Sequence, residues 1–131
     1  MTTKEQVPKK HSFGRAQESA AFSIAMLGLA AQSPERLNLN QLAFFAMAAS
    51  ADLAGRPATL GELLEAAGSR LGLGVRTSYR ILTKPSRRYP DALGWLVQEQ
   101  NPDDERSSFL RLSDKGRAVF FGALDALRGE A

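Results

Sequence analysis

Cysteine is absent from all 131 positions, and histidine occurs once, as His11. Disulfide scaffolds, thiolate zinc sites and cysteine nucleophiles are therefore excluded, and His11 has no second imidazole for a metal site or a catalytic dyad. An enzyme is thus the least supported class, and no metal or other cofactor is expected. Long apolar runs are missing too: the longest, Ala20 to Ala31, is interrupted by Ser23 and falls short of the roughly 18 to 20 residues of a membrane span. The first fifteen residues carry charge but no apolar core of signal-peptide length, so a soluble, cytoplasmic protein with no membrane partner is expected.

The most informative absence is of acid. Between Glu65 and Asp91 there is no Asp or Glu, yet the same stretch holds Arg70, Arg76, Arg80, Lys84, Arg87 and Arg88. With these six set aside, eleven of the 17 basic residues remain against 14 acidic ones, so the net charge of +3 arises in this one segment. A merely solvated helix face normally mixes signs. Segregated positive charge is the electrostatic footprint of a nucleic-acid-binding face.

What is present suits one compact domain. Residues 1–15, with Lys4, Lys9, Lys10 and Arg15 and little to bury, read as a flexible basic arm, either solubilising or DNA-contacting. Residues 16–131 read as a single domain. From Ala16 to the Ser33-Pro34 breaker the density of Ala, Leu and Met predicts a helix; its Phe22, Ile24, Met26, Leu27 and Leu29 lie on more than one face, which points to a subunit interface. Asn38 is a favoured N-cap for a second helix, ending near Ala51 to Asp52, whose Leu39, Leu42, Phe45, Ala46 and Ala49 repeat at helical spacing. After the Gly55-Arg56-Pro57 turn, Thr59-Leu60-Gly61-Glu62 is a capping box opening a short helix, Leu60 to Ala67. Glu62 and Glu65 lack metal-ligand company and read as cap and surface.

Gly68, Gly72 and Gly74 then break the chain before Val75 to Lys84, read as helical until Pro85 stops it. Gly72-Leu73-Gly74 has neither the Lys-Ser/Thr nor the preceding strand of a phosphate loop and reads as a turn. On a helical wheel Val75, Tyr79 and Leu82 point one way, while Arg76, Arg80 and Lys84 point the other with Thr77 beside them. Tyr79 reads as a core residue with a hydrogen-bonded hydroxyl. Residues 59–84 thus form a helix-turn-helix. Beyond the basic segment 85–92, Trp95 to Gln100 and Ser108 to Leu112 read as two strands joined by a polar tip, a wing over 95–112, and Ser113 caps a last helix running from Asp114 to about Arg128. The fold class is mainly α with a small β-hairpin, in the order of a winged helix-turn-helix domain with flanking N- and C-terminal helices.

Three stretches carry a resemblance to a known family: Leu37-Asn38-Leu39-Asn40-Gln41-Leu42, Thr59-Leu60-Gly61-Glu62-Leu63, and Asn101-Pro102-Asp103-Asp104-Glu105-Arg106-Ser107 followed by Leu112-Ser113-Asp114-Lys115-Gly116-Arg117. Over about residues 37 to 120 the chain resembles the MarR family of bacterial transcription regulators. The resemblance implies a homodimeric repressor that occupies a promoter, with half-sites about one helical turn apart, and that is relieved by a small-molecule effector. No residue identifies that ligand. Residues 16–33 and 114–128 are the expected dimerisation helices. Two departures stand out: several extra residues between Leu82 and Gly94, including Pro85 and Pro90, shorten the recognition helix, and only about 15 residues follow Gly116 where the family usually has two long helices.

In such a domain Arg76, Thr77 and Arg80 are the candidates for base edges in the major groove, and Lys84, Arg87 and Arg88 for phosphates or an adjacent groove. Arg106, at the wing tip, is the candidate for the minor groove, with Asp104 bonding its guanidinium or the turn backbone. Asp103, Asp104 and Glu105 leave open an acidic wing that avoids DNA. The expected function is a sequence-specific double-stranded DNA-binding transcriptional regulator, nucleoid-associated when bound. The alternative is a winged-helix interaction module whose basic loop binds an acidic protein partner and no DNA.

Overall fold

A computed structural model describes residues 9–33 and 37–129, so residues 1–8 of the expected arm lie outside the described residues. The elements are α1 (Lys9–Ala31), α2 (Leu39–Leu53), β1 (Ala58–Thr59), α3 (Leu60–Ala67), α4 (Val75–Ser78), a 3-10 turn (Tyr79–Leu82), β2 (Leu96–Asn101), β3 (Asp104–Leu112) and α5 (Asp114–Leu127). Helix α1 starts seven residues before the expected Ala16, because nothing between Lys9 and Ala16 breaks a helix except the tolerated Gly14. The chain divides into two compact units, one of residues 33–120 and one of residues 1–32 with 121–131. Among the described residues no helix is long and apolar enough to cross a membrane.

Within residues 33–120, α2 is the central element. The Asn38 side chain accepts the Gln41 amide at 2.8 Å while Gln41 Oε1 accepts the Asn38 amide at 2.9 Å, a reciprocal cap that fixes where the helix begins. Its buried face is Gln41, Phe44, Phe45, Ala48, Ala49 and Asp52, which is rotated from the face expected from the apolar residues alone. Leu39 is left exposed. The rotation is possible because the two buried polar residues have partners: Gln41 Nε2 donates to the Ser78 carbonyl at 3.4 Å, and Asp52 is satisfied from β3.

The core of this unit is completed by Leu63 and Ala67 of α3, Val75, Tyr79, Ile81 and Leu82 of the following segment, and Trp95, Leu96, Leu110, Leu112 and Val119, all buried. Phe45 lies 4.9 Å from the Trp95 ring and edge-on to Phe120 at 5.7 Å; Phe44 lies 5.7 Å from Tyr79. Such aromatic pairs contribute about 0.5–1.5 kcal/mol each beyond burial. Among the described residues the buried Trp95 indole N–H has no hydrogen-bond partner.

The sheet has three antiparallel strands in the order β1-β3-β2, rather than the two of a simple hairpin. Ala58 pairs with Leu110 and Thr59 with Phe109. The third strand follows from the cap: an N-cap residue has extended backbone, as Thr59 does at φ −85 and ψ 166, so the chain entering α3 is already shaped to pair. The capping box itself forms as expected, with the Thr59 hydroxyl accepting the Glu62 amide at 3.2 Å and Glu62 Oε1 accepting the Thr59 amide at 2.9 Å.

The base of the hairpin is fastened to the start of α5. Ser113 Oγ donates to the Gly94 carbonyl and accepts the Gly116 amide at 2.9 Å, while the Ser113 amide donates to the Trp95 carbonyl at 3.0 Å. Gly116 is needed here because any Cβ at that position would fall on the Trp95 carbonyl. Gly94, at φ +70, supplies the left-handed bend leading into Trp95.

In the unit of residues 1–32 and 121–131, Ala25 and Ala126 are buried while Phe22, Ile24, Leu27 and Leu127 remain exposed.

Candidate nucleic-acid interface

The segment over 75–84 is built differently from the expected continuous helix. One α turn, Val75–Ser78, passes into the 3-10 turn Tyr79–Leu82, and Thr83 is extended at φ −96 and ψ −158. Lys84 therefore lies outside the helix. In an α-helix the Ile81 carbonyl would need the amide of residue 85, which is Pro85 and has none. The Leu93 amide takes that carbonyl instead at 2.7 Å, the Gly94 amide takes that of Thr83 at 2.9 Å, and the Thr83 hydroxyl donates to the Arg80 carbonyl at 2.9 Å. A 3-10 turn advances about 120° per residue instead of about 100°, so the spacing by four no longer aligns Arg80 with Lys84.

The cations consequently divide among different surroundings. Arg76 lines a cleft of about 600 Å³ with Thr59, Glu62, Glu65 and Leu73. Thr77 and Arg80 line a second, of about 270 Å³, with Ser86, Arg88 and Tyr89. Lys84 and Arg87 are exposed and line neither. Arg70 is spent structurally: its Nε and Nη2 donate to the carbonyls of Ala67 and Ala66, both at 3.0 Å, closing the C-terminus of α3. Arg76, Arg80, Lys84, Arg87 and Arg88 form no ion pair or side-chain hydrogen bond among the described residues. Five guanidinium or ammonium groups thus stand open to an outside partner. The Thr77 hydroxyl is engaged, donating to the Gly74 carbonyl at 3.2 Å.

Tyr79 belongs to the core, as expected, and its hydroxyl accepts from Gln98 Nε2 at 3.5 Å, which ties the segment 75–82 to β2.

At the tip of the β2-β3 hairpin the ladder pairs Asn101 with Asp104 but Gln100 with Ser108, so Glu105, Arg106 and Ser107 bulge out of the sheet. Asp104 Oδ1 accepts the Arg106 amide at 3.0 Å and stands 3.9 Å from its Nε. Of the two supports expected of Asp104, the backbone bond is the firm one. It braces the turn and leaves the Arg106 side chain 97% exposed. Asn101 helps, accepting the Asp103 amide at 2.9 Å through Oδ1 and donating to the Ser107 hydroxyl at 3.3 Å.

No family model matches the chain, and neither the curated proteins nor the solved structures compared with it include a match. Any assignment therefore rests on the residues and their geometry.

One polar cluster was not anticipated from sequence. Asp52, its side chain 2% exposed, accepts the Leu112 amide at 2.9 Å through Oδ2 and the Arg111 guanidinium at 3.0 Å through Oδ1; Arg111 Nη1 also reaches Glu99 at 3.4 Å. The Asp52 and Glu99 carboxylates push the Arg111 pKa further above its ordinary value, so its charge is constant at any working pH. This cluster clamps α2 to β3 at the foot of the hairpin. The signal that could have found it is an acid at 52 in register with positions 41, 45 and 48 on an otherwise buried helix face.

Proposed function

We propose that the chain is a sequence-specific, double-stranded DNA-binding transcriptional regulator with a winged helix-turn-helix domain of the kind its sequence resembles. The observation that carries this reading is the group of five unpaired, exposed cations on one segment free of acid, directly after a capped helix and a glycine-rich turn. A structural role for so much uncompensated charge is missing, whereas phosphate neutralisation by Lys and Arg is the main source of affinity for duplex DNA. Under this reading α3, the turn and the segment 75–82 are the helix-turn-helix, and β2 and β3 are the wing. Arg76 and Thr77 approach base edges, Lys84 and Arg87 hold phosphates, and Arg106 enters the minor groove from the bulged tip. Arg80 is placed with Arg76 by sequence spacing but with Arg88 by the cleft.

The protein acts as a homodimer in this proposal, supported by Phe22, Ile24, Leu27 and Leu127, large apolar side chains left exposed on the two terminal helices. Repression by promoter occupancy and relief by a small effector follow from the family resemblance, and a cytoplasmic, nucleoid-associated location is part of the same proposal. Selection of bound fragments from randomised duplex DNA, followed by affinity measurements at several salt concentrations, tests the proposal. Log affinity should fall linearly with log salt, with a slope of about −0.9 per phosphate neutralised. A flat response, or no fragment enriched, rejects it in favour of an acidic protein partner.

A further inference from the structure

Thr77 and Arg80 of the recognition segment and Ser86, Arg88 and Tyr89 of the following loop enclose the cleft of about 270 Å³. Its lining residues include two arginines and three residues that carry a hydroxyl, and no Asp or Glu. The walls are set in advance. The Ser86 amide donates to the Tyr89 carbonyl at 3.0 Å and the Tyr89 amide donates to Ser86 Oγ at 3.2 Å, closing the loop as a turn. Beyond that turn, the bonds from Leu93 and Gly94 return the chain to Ile81 and Thr83. Ser86 Oγ is an acceptor in its bond, so its O–H remains available to donate.

Arg80 and Arg88 thus border one cavity without a counter-charge among the described residues. Two cationic residues lining one cleft favour an anion there, and planar guanidinium forks match the oxygens of phosphate.

We infer that this cleft is a phosphate-binding pocket in which Arg80 and Arg88 clamp one phosphoryl group, with Ser86 and Tyr89 beside it. The pocket stands on its own geometry; that the group is a backbone phosphodiester of bound DNA rests on the regulator reading. Arg80 is accordingly a backbone contact, not a base reader. The loop over 85–92, where the family resemblance breaks off, becomes a clamp that sets the register of the recognition segment on the duplex.

Titration of the full chain with inorganic phosphate, against sodium chloride at equal ionic strength, is followed by NMR at the Ser86 and Arg88 amides and the Arg80 and Arg88 side chains. Saturable shifts are expected, weakened about tenfold or more by Arg80→Ala and Arg88→Ala but not by Arg56→Ala, which removes the same charge elsewhere. Arg88→Lys keeps the charge without the fork and should restore only part. Duplexes obtained by selection are then prepared with single phosphates replaced by neutral methylphosphonate. Affinity should drop at one position per half-site, and the Arg88→Ala protein should show no further drop there; such coupling supports the pocket even if free phosphate binds too weakly to saturate. Saturation by phosphate without a coupled position overturns the DNA source and makes a free phosphorylated molecule the ligand. If no duplex is bound at all, the regulator reading falls with it. The absence of both saturation and a coupled position overturns the pocket, and duplex binding in that case leaves the regulator reading intact.

Discussion

Replacing Asp52 by alanine removes at once the acceptor of the Leu112 amide and the partner of the Arg111 guanidinium. Leu112 is buried, and a buried donor left without an acceptor costs about 1–3 kcal/mol. Arg111 stays within reach of water and of Glu99, its side chain being 39% exposed, so the total should remain below the ~3–5 kcal/mol of breaking a fully buried pair. We expect Asp52→Ala to cost about 2–3 kcal/mol, dominated by the amide. At about 4 °C per kcal/mol for a chain of this size, the melting temperature should fall by about 8–12 °C. Denaturant unfolding followed by the fluorescence of Trp95, the chain's single tryptophan and fully buried, gives the value directly. Arg111→Ala leaves a buried carboxylate without its cation, so the double variant Asp52→Ala/Arg111→Ala should be little worse than Asp52→Ala alone. A loss under about 0.5 kcal/mol for Asp52→Ala, within the range of ordinary surface changes, or strictly additive losses, would refute the clamp.

Gly116→Ala should destabilise by about 1–3 kcal/mol or more, since the added methyl meets the Trp95 carbonyl and only movement of backbone relieves it; an unchanged denaturation midpoint would contradict that packing. Arg76→Ala is expected to relax base preference at a cost of about 1–3 kcal/mol, measured by repeating the selection with the variant. By contrast, Arg80→Ala should weaken binding evenly across sequences and shrink the salt slope by about 1; a change of sequence preference would return it to the base readers. For Arg106→Ala the loss should be concentrated on duplexes with A·T-rich flanks, whose narrow minor groove attracts arginine, and equal loss on all flanks would mark a generic phosphate contact.

Much of the architecture was legible because its signals are local. The Asn38 and Thr59 caps and the span of α3 were readable from a few adjacent residues, as was Ser113 at the start of α5. Asp104 as a brace of the hairpin tip was equally readable, since an Asx side chain bonds the amide two residues on. The pairing of β1 with β3 was not, because two residues carry no periodicity and their partner lies fifty positions away. The buried face of α2 was misjudged by about one position because apolar residues alone were counted, while Gln41 and Asp52 were admitted to the core by partners on distant elements.

The acid-free charge between Glu65 and Asp91 is a property of the sequence alone, and no fold could remove it. So are the glycines and prolines that limit the helices around it. How those cations are shared out was decided only in three dimensions. Pro85 cannot satisfy the Ile81 carbonyl, Leu93 does so from beyond the loop, and that long-range bond accompanies the tightening of the helix and the placing of Arg80 and Arg88 at one cleft, with Arg76 at another. Charge is written residue by residue, but its arrangement depends on which distant amide closes which carbonyl.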